Sequence, residues 1–285
     1  MLNLLILLVL LGVASASPRL VRRVVVARNH PPTQSSTGFR LIANVTDPSQ
    51  DFDPPVHGWV LDAIHIGAGL NDAVLFADGD DVGRVYYVNG TADEIAGGQA
   101  DTLTDGGTPL FPYGVYVADR NTTDADGLHD VSVNAGSGQV GVQLEVSSSS
   151  STSSSLLYPV LRGPGAAAGT YVACNQYVSY YGENYTTIRW VYDEVDSSAT
   201  AVVTNSSSNS SNNSSSVSSS NATLAAAPAV AGVRTIPNGC VALTLLPECN
   251  VLDELPNGSL ASHEFAANST CYANVSAIDW TLYGP

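Results

Sequence analysis

The side chains able to do chemistry gather in a few short stretches, the richest being His57 to Ala77 (HGWVLDAIHIGAGLNDAVLFA). His57, Asp62 and His65 are the imidazoles and carboxylate that general acid–base catalysis uses. Alternation along a strand from Trp59 puts Leu61, Ala63 and His65 on one face and Asp62, Ile64 and Ile66 on the other. Asp62 and His65 therefore cannot form a dyad within that strand, and His65 reads as a hydrogen-bonded, partly buried histidine. Gly67-Ala68-Gly69 begins like a dinucleotide fingerprint, but Asp72 stands at the third glycine position and no helix follows. Gly67 to Asp72 reads instead as a glycine-permitted turn between two apolar strands, Trp59 to Ile66 and Ala73 to Ala77. Asn71 and Asp72 suit capping that turn through side chain to backbone bonds. A pocket is expected beside this turn, with His65, Asn71 and Asp72 on its rim.

Oxygen ligands for a hard cation are a second possibility. Asp78-Gly79-Asp80-Asp81 concentrates carboxylates in one turn, and Asp119, Asp124, Asp126 and Asp130 cluster around Gly127. Set on an EF-hand template through Gly127, Asp124 and Asp126 fall on ligand positions, but Thr122 and Val133 stand where the first and the bidentate ligands belong. Turns favour Asp for backbone reasons alone. No metal is expected, and Asp124, Asp126 and Asp130 stay as weak calcium candidates. A G-x-S-x-G elbow is missing, Gly136-Ser137-Gly138 being too short. Glycoside hydrolysis needs two carboxylates about 5–10 Å apart across a cleft, and no Asp or Glu sits in a motif that singles it out. Glu145 falls with Gln139, Gly141 and Gln143 on the polar face of an alternating strand. Tyr171, Tyr177, Tyr180, Tyr181, Tyr185, Trp190 and Tyr192 crowd one region. Such rings suit a β core, the first expectation, or stacking on sugar faces, the second.

The elements that must position these groups are short strands. Phe39 to Val45, the two central strands, Arg84 to Asn89, Tyr113 to Ala118, Leu128 to Val133, Gln139 to Val146, Leu156 to Leu161, Thr170 to Tyr177, Thr186 to Tyr192 and Cys240 to Leu246 carry period-2 or β-rich patterns. Gly90 to Pro109 reads as a polar loop. Only Ala225 to Ala231 and Leu252 to Phe265 leave room for a short helix. The expectation is an all-β fold, a β-sandwich or jelly-roll-like domain with little helix, in one large domain over 38–285. The tracts 147–155 and 204–223 are almost all Ser and Asn, cannot bury apolar surface, and read as expanded loops within it.

Processing signals frame that domain. Leu4 to Val13 followed by Ala14-Ser15-Ala16 predicts a signal peptide over 1–16. Residues 17–37 read as a pro-segment and disordered lead-in, with a dibasic site at Arg22-Arg23. No hydrophobic tail follows Trp280, which argues against a glycolipid anchor. All 10 basic residues are Arg, and 26 acids bring the net charge to −16. That balance repels phosphate backbones and anionic lipid, so no nucleic acid and no membrane partner is expected. The 4 cysteines of a secreted chain imply disulfides. Of the possible pairings, Cys174–Cys240 would tie two predicted strands and Cys249–Cys271 would close a C-terminal loop. Sequons at Asn44, Asn89, Asn121, Asn184, Asn257, Asn268 and Asn274, with further ones in the second tract, predict an N-glycosylated surface.

The segments WVLDAIHIGAGLNDAVL, YYVNGT, GTYVACN, RWVY and IPNGCVALTLLPEC, spread from about Gly38 to Cys271, resemble a group of secreted proteins of filamentous ascomycete fungi classed as a domain of unknown function. The resemblance implies an extracellular, β-rich protein and supplies no catalytic residues. The expected role is non-enzymatic: binding or structural, at the cell surface, wall or host interface, with glycans or cell-wall polysaccharide as partners and no cofactor. The alternative is a secreted carbohydrate-active hydrolase.

Overall fold

A computed structural model describes residues 31–79, 83–123, 126–145, 159–164, 169–193 and 235–282. The expected signal peptide, the dibasic site, both Ser-rich tracts and Ala225 to Ala231 lie outside the described residues. The strands are β1 (Thr33–Ser36), β2 (Gly38–Val45), β3 (Val60–Gly67), β4 (Leu70–Phe76), β5 (Tyr86–Asn89), β6 (Asp101–Gly106), β7 (Phe111–Val117), β8 (His129–Ala135), β9 (Gly169–Val178), β10 (Glu183–Tyr192), β11 (Cys240–Asn250), β12 (Ala266–Ala267) and β13 (Ser269–Tyr272). A one-turn helix, α1 (Ala92–Ala96), follows Thr91, whose side chain and Glu94 form a reciprocal capping box.

The fold is all-β but not a sandwich or jelly roll: it is a closed nine-strand barrel with extra strands. Pairing runs β2–β5–β6–β7–β8–β4–β10–β9–β11 and returns from β11 to β2. β3 bridges β2 and β4. The closure depends on strands that change neighbours along their length. β2 meets β5 at Phe39 and β3 at Ile42, while β4 meets β8 at Asp72 and β10 at Val74. Alternation in sequence tells which side chains point inward, and it is the same for a barrel as for a sandwich. The ladder that joins the last strand to the first carries no such mark, which is why the sandwich expectation fails.

Along the barrel strands, alternate residues enter one interior. Phe39, Leu41, Ala43 and Val45 of β2, Leu61 of β3, Ala73 and Leu75 of β4, Val115 and Val117 of β7, and Leu243 and Leu245 of β11 are buried together there. Trp190 enters from β10 and meets Tyr171 of β9 edge to face at 4.7 Å. Its ring leaves no room at Gly163 and Gly169, where a Cβ would stand 2.1 and 2.4 Å from ring carbons. The interior is a packed core of side chains, so any ligand site belongs on the outside.

Several local expectations change. Gln139 to Glu145 alternates but builds no strand; Leu144 makes an isolated bridge to Leu161. The polar row expected to face solvent turns inward instead. Gln143 is buried, accepts from Ala100 N and donates to Ile95 O, and Gln139 accepts from Val117 N. Amide side chains there replace ladder partners, a substitution alternation does not reveal. The loop expected over Gly90 to Pro109 holds α1 and β6. Leu252 to Phe265 holds no helix, and the lead-in contributes β1, paired with β13. The two disulfides are Cys174–Cys240, linking directly paired residues of β9 and β11, and Cys249–Cys271, linking β11 to β13.

Candidate functional site

The central hairpin β3–β4 turns more tightly than expected. Gly67 pairs with Leu70, leaving Ala68 and Gly69 as the turn, and Gly69 takes the positive φ of 70° that glycine adopts without strain. The turn is fastened to β8: Ala135 N donates to Gly69 O, Asn71 Nδ2 donates to Val133 O, and Asn71 N donates to Asn134 Oδ1. Asn71 is buried, and its backbone N–H and Nδ2 both donate to this strand. Asp62 and His65 lie apart. Asp62 pairs with Arg84 at 3.0 Å, whereas His65 is exposed and meets Tyr180 edge to face at 5.5 Å. Asp72 is half-buried where β4, β8 and β10 meet. Burial and the neighbouring Asp130 hold its carboxyl above the ordinary value, against the pull of Arg189. Arg189 is itself buried, and its Nε stands 3.5 Å from Asp130, too far for a good hydrogen bond.

Among the described residues no three His, Cys, Asp or Glu side chains converge as a metal site requires. Of the calcium candidates, Asp124 lies outside the described residues and Asp130 faces Arg189. One constellation has no signal in the sequence. His263 Nε2 lies 2.7 Å from Asp105, Tyr87 donates to the same carboxylate at 3.3 Å, and burial raises the Tyr87 hydroxyl above its usual range. Asp105 and His263 are 158 positions apart, and Asp105 falls in a segment that reads as loop. Asp105 also borders a shallow cleft of about 240 Å³ with Arg84, Asp253 and Glu254.

The aromatic region divides in two. Thr187 pairs with Cys174, and on the barrel side of that pair β9 and β10 are walled by β11, β4 and β8. Beyond it, residues 175–186 continue as a two-stranded ribbon, β11 having begun at Cys240 opposite Cys174. One face of the ribbon leans on the central hairpin, where Val178 and Tyr185 pack with Ile64, Val74 and Phe76. At its tip Tyr180 and Tyr181 are 56% and 42% exposed. Their rings meet at 5.1 Å, Tyr181 meets Tyr185 at 5.4 Å, and Tyr185 meets Phe76 at 6.4 Å. With His65 this makes a continuous run of rings on the outside of the barrel. Tyr185 donates to Glu183 at 2.7 Å, and that bond raises its hydroxyl to about 12. Such rings offer apolar faces with polar edges and can stack on the CH faces of sugars.

The sequons also divide. Asn121, Asn184, Asn257, Asn268 and Asn274 are exposed, whereas Asn44 and Asn89 are half-buried and donate to Thr244 and Asp101.

Residues 36–249 match the family described as "Domain of unknown function (DUF7907)". The chain belongs to this family. The matched span holds every strand of the ring and the whole aromatic ribbon, while β12, β13 and Cys271 follow it. A relative from Stachybotrys chartarum, described as "Antigenic protein SchS34", is 34% identical over 270 residues, which is 95% of this chain and 100% of the relative. No solved structure matches this family member. Among the described residues no helix is long and apolar enough to cross a membrane.

Proposed function

We propose that this chain is a secreted, N-glycosylated binding protein that recognises carbohydrate, such as cell-wall polysaccharide, through the rings at the tip of the β9–β10 ribbon. The observation that carries the reading is the run of rings from exposed His65, Tyr180 and Tyr181 to half-buried Tyr185, beside a barrel whose interior is filled. Apolar rings held in the open by a buried scaffold lack a folding role, and sugar stacking is what their polar-edged faces suit. The leader-like N-terminus, the disulfides and the exposed sequons support an extracellular site of action. A relative described as antigenic fits a protein met outside the cell. The test is retention of the purified chain on insoluble polysaccharides and on a glycan array. Binding should fall at least tenfold in the Tyr180→Ala/Tyr181→Ala double variant; equal retention of that variant sinks the assignment of the site.

One observation favours a second reading, hydrolysis of the same class of ligand. Asp105, Asp253 and Glu254 border one cleft, and carboxylates across a cleft are what glycosidases use. Release of reducing ends from polysaccharide, lost in Glu254→Gln, would establish it.

A further inference from the structure

The ribbon carries a tyrosine on its other face that the ring run does not use. Tyr177 is 66% exposed and pairs directly with Asn184, the first residue of the sequon Asn184-Tyr185-Thr186. Residues directly opposite in an antiparallel pair project on one side, with Cβ atoms about 4.5–5.5 Å apart. Thr186 and its partner Asn175 share that side by alternation, while Tyr185 and Gln176 take the side that leans on the central hairpin. The Tyr177 hydroxyl lies 3.8 Å from the position of a Cβ on Gly182, so the ring lies along the ribbon surface. Asn184 is exposed, and its carboxamide makes no hydrogen bond among the described residues. Asn44, Asn89 and Asn274 differ, each having its carboxamide engaged by Thr244, Asp101 or Ala277 N.

We propose that Asn184 carries an N-linked glycan whose first sugar lies on the Tyr177 ring, so that the protein uses this tyrosine to hold its own carbohydrate. The inference rests on the secretory reading above. In the modification, Asn184 Nδ2 bonds to the anomeric carbon of an oligosaccharide carried on a lipid pyrophosphate. The pyrophosphate leaves with the electron pair of the broken C–O bond, and one amide proton goes to the base of the transferring enzyme. The sugar then stands where a cross-strand neighbour of Tyr177 would stand, and its CH face covers a ring that solvent otherwise meets. The two faces of the ribbon thereby divide the work: one is closed by the chain's own sugar, and the other stays open for a ligand.

The test uses the full chain secreted from a fungal host. Peptide mass spectrometry should find Asn184 occupied. Tyr177→Ala should lower the melting temperature by about 2–4 °C, the shift expected for one good contact in a domain of this size. In an Asn184→Gln background the same substitution should change it by less than about 1 °C. Enzymatic trimming of the glycan to its first sugar should leave the wild-type melting temperature in place. Glycans at other sequons with Asn184 bare overturn this inference and leave the secretory reading standing; no glycan at any sequon overturns both. An occupied Asn184 with a Tyr177→Ala shift that is equal in both backgrounds shows that the ring does not meet the sugar, and sinks the proposal.

Discussion

The two ends of the β9–β10 hairpin are made of the same residue types and do opposite things. At the barrel end Tyr171, Trp190 and Tyr192 pack edge to face among apolar neighbours, with Tyr171 and Trp190 almost wholly buried. At the free end Tyr177, Tyr180 and Tyr181 stand in solvent. Nothing intrinsic to the side chains separates them. The difference lies in how many strands pair with the hairpin at each level: β11, β4 and β8 on one side of the Cys174–Thr187 pair and, among the described residues, no further paired strand beyond it. An aromatic side chain becomes core or contact surface according to what the ladder puts beside it.

The comparison is broken or sharpened by substitution. Trp190→Ala should have the largest effect, a loss of about 3–5 kcal/mol in denaturant unfolding, since a large buried ring leaves a cavity its neighbours cannot fill. If that loss stays under about 1 kcal/mol, the barrel end is not the load it is taken to be. Replacing the Cys174–Cys240 bond by a pair of Ala should cost about 2–4 kcal/mol, the usual effect of opening a long covalent loop. The same melt would show whether the ribbon's root depends on it.

Asp72 gives a smaller effect of opposite sign. Its carboxyl is held above the ordinary value by burial and by Asp130, so the folded state binds that proton more tightly than the unfolded chain does. The group's favourable contribution is present in acid below the unfolded value and is lost as pH rises through the folded one. Asp72→Asn should therefore raise stability at neutral pH, by under about 1 kcal/mol since the group is only half-buried and solvent screens it. That gain should vanish near pH 3, and a urea melt at both pH values reads it. The smallest stability effect belongs to the free end. Tyr180→Ala/Tyr181→Ala should stay within about 0.5 kcal/mol of wild type while removing polysaccharide retention. A large loss of stability there would make the tip part of the core after all.

Much of the strand content was legible, because Val-, Ile-, Leu- and Tyr-rich alternation from Phe39 to Leu246 reports which residues face inward. The barrel was not, since closure rests on single pairings such as Phe39 with Tyr86 and Thr187 with Val74 that leave no compositional trace. Gln139 to Glu145 misled for a related reason: Gln143 satisfies backbone groups at Ala100 and Ile95 that a strand would have satisfied, and its spacing looks the same either way. β6 was missed because Asp101-Thr102-Leu103-Thr104 faces the core with threonines, Thr102 and Thr104 being buried. At the candidate site, the crowding of tyrosines was visible, but their division was not. The partition depends on where β11 begins, and Cys240 lies 66 residues from the cysteine it marks. The Tyr87–Asp105–His263 group was invisible for the same reason of distance.

The pairing of Cys174 with Cys240 has a consequence for chain integrity. The bond reaches across everything between the end of β10 at Tyr192 and the start of β11, the span that contains the second serine tract. A protease that cut once anywhere in that span would produce two polypeptides and still only one molecule. The halves would stay tethered by sulfur and zipped along β9 and β11, migrating together on a gel until a reductant was added. A single cut in the serine tract would thus leave the ribbon attached to the barrel.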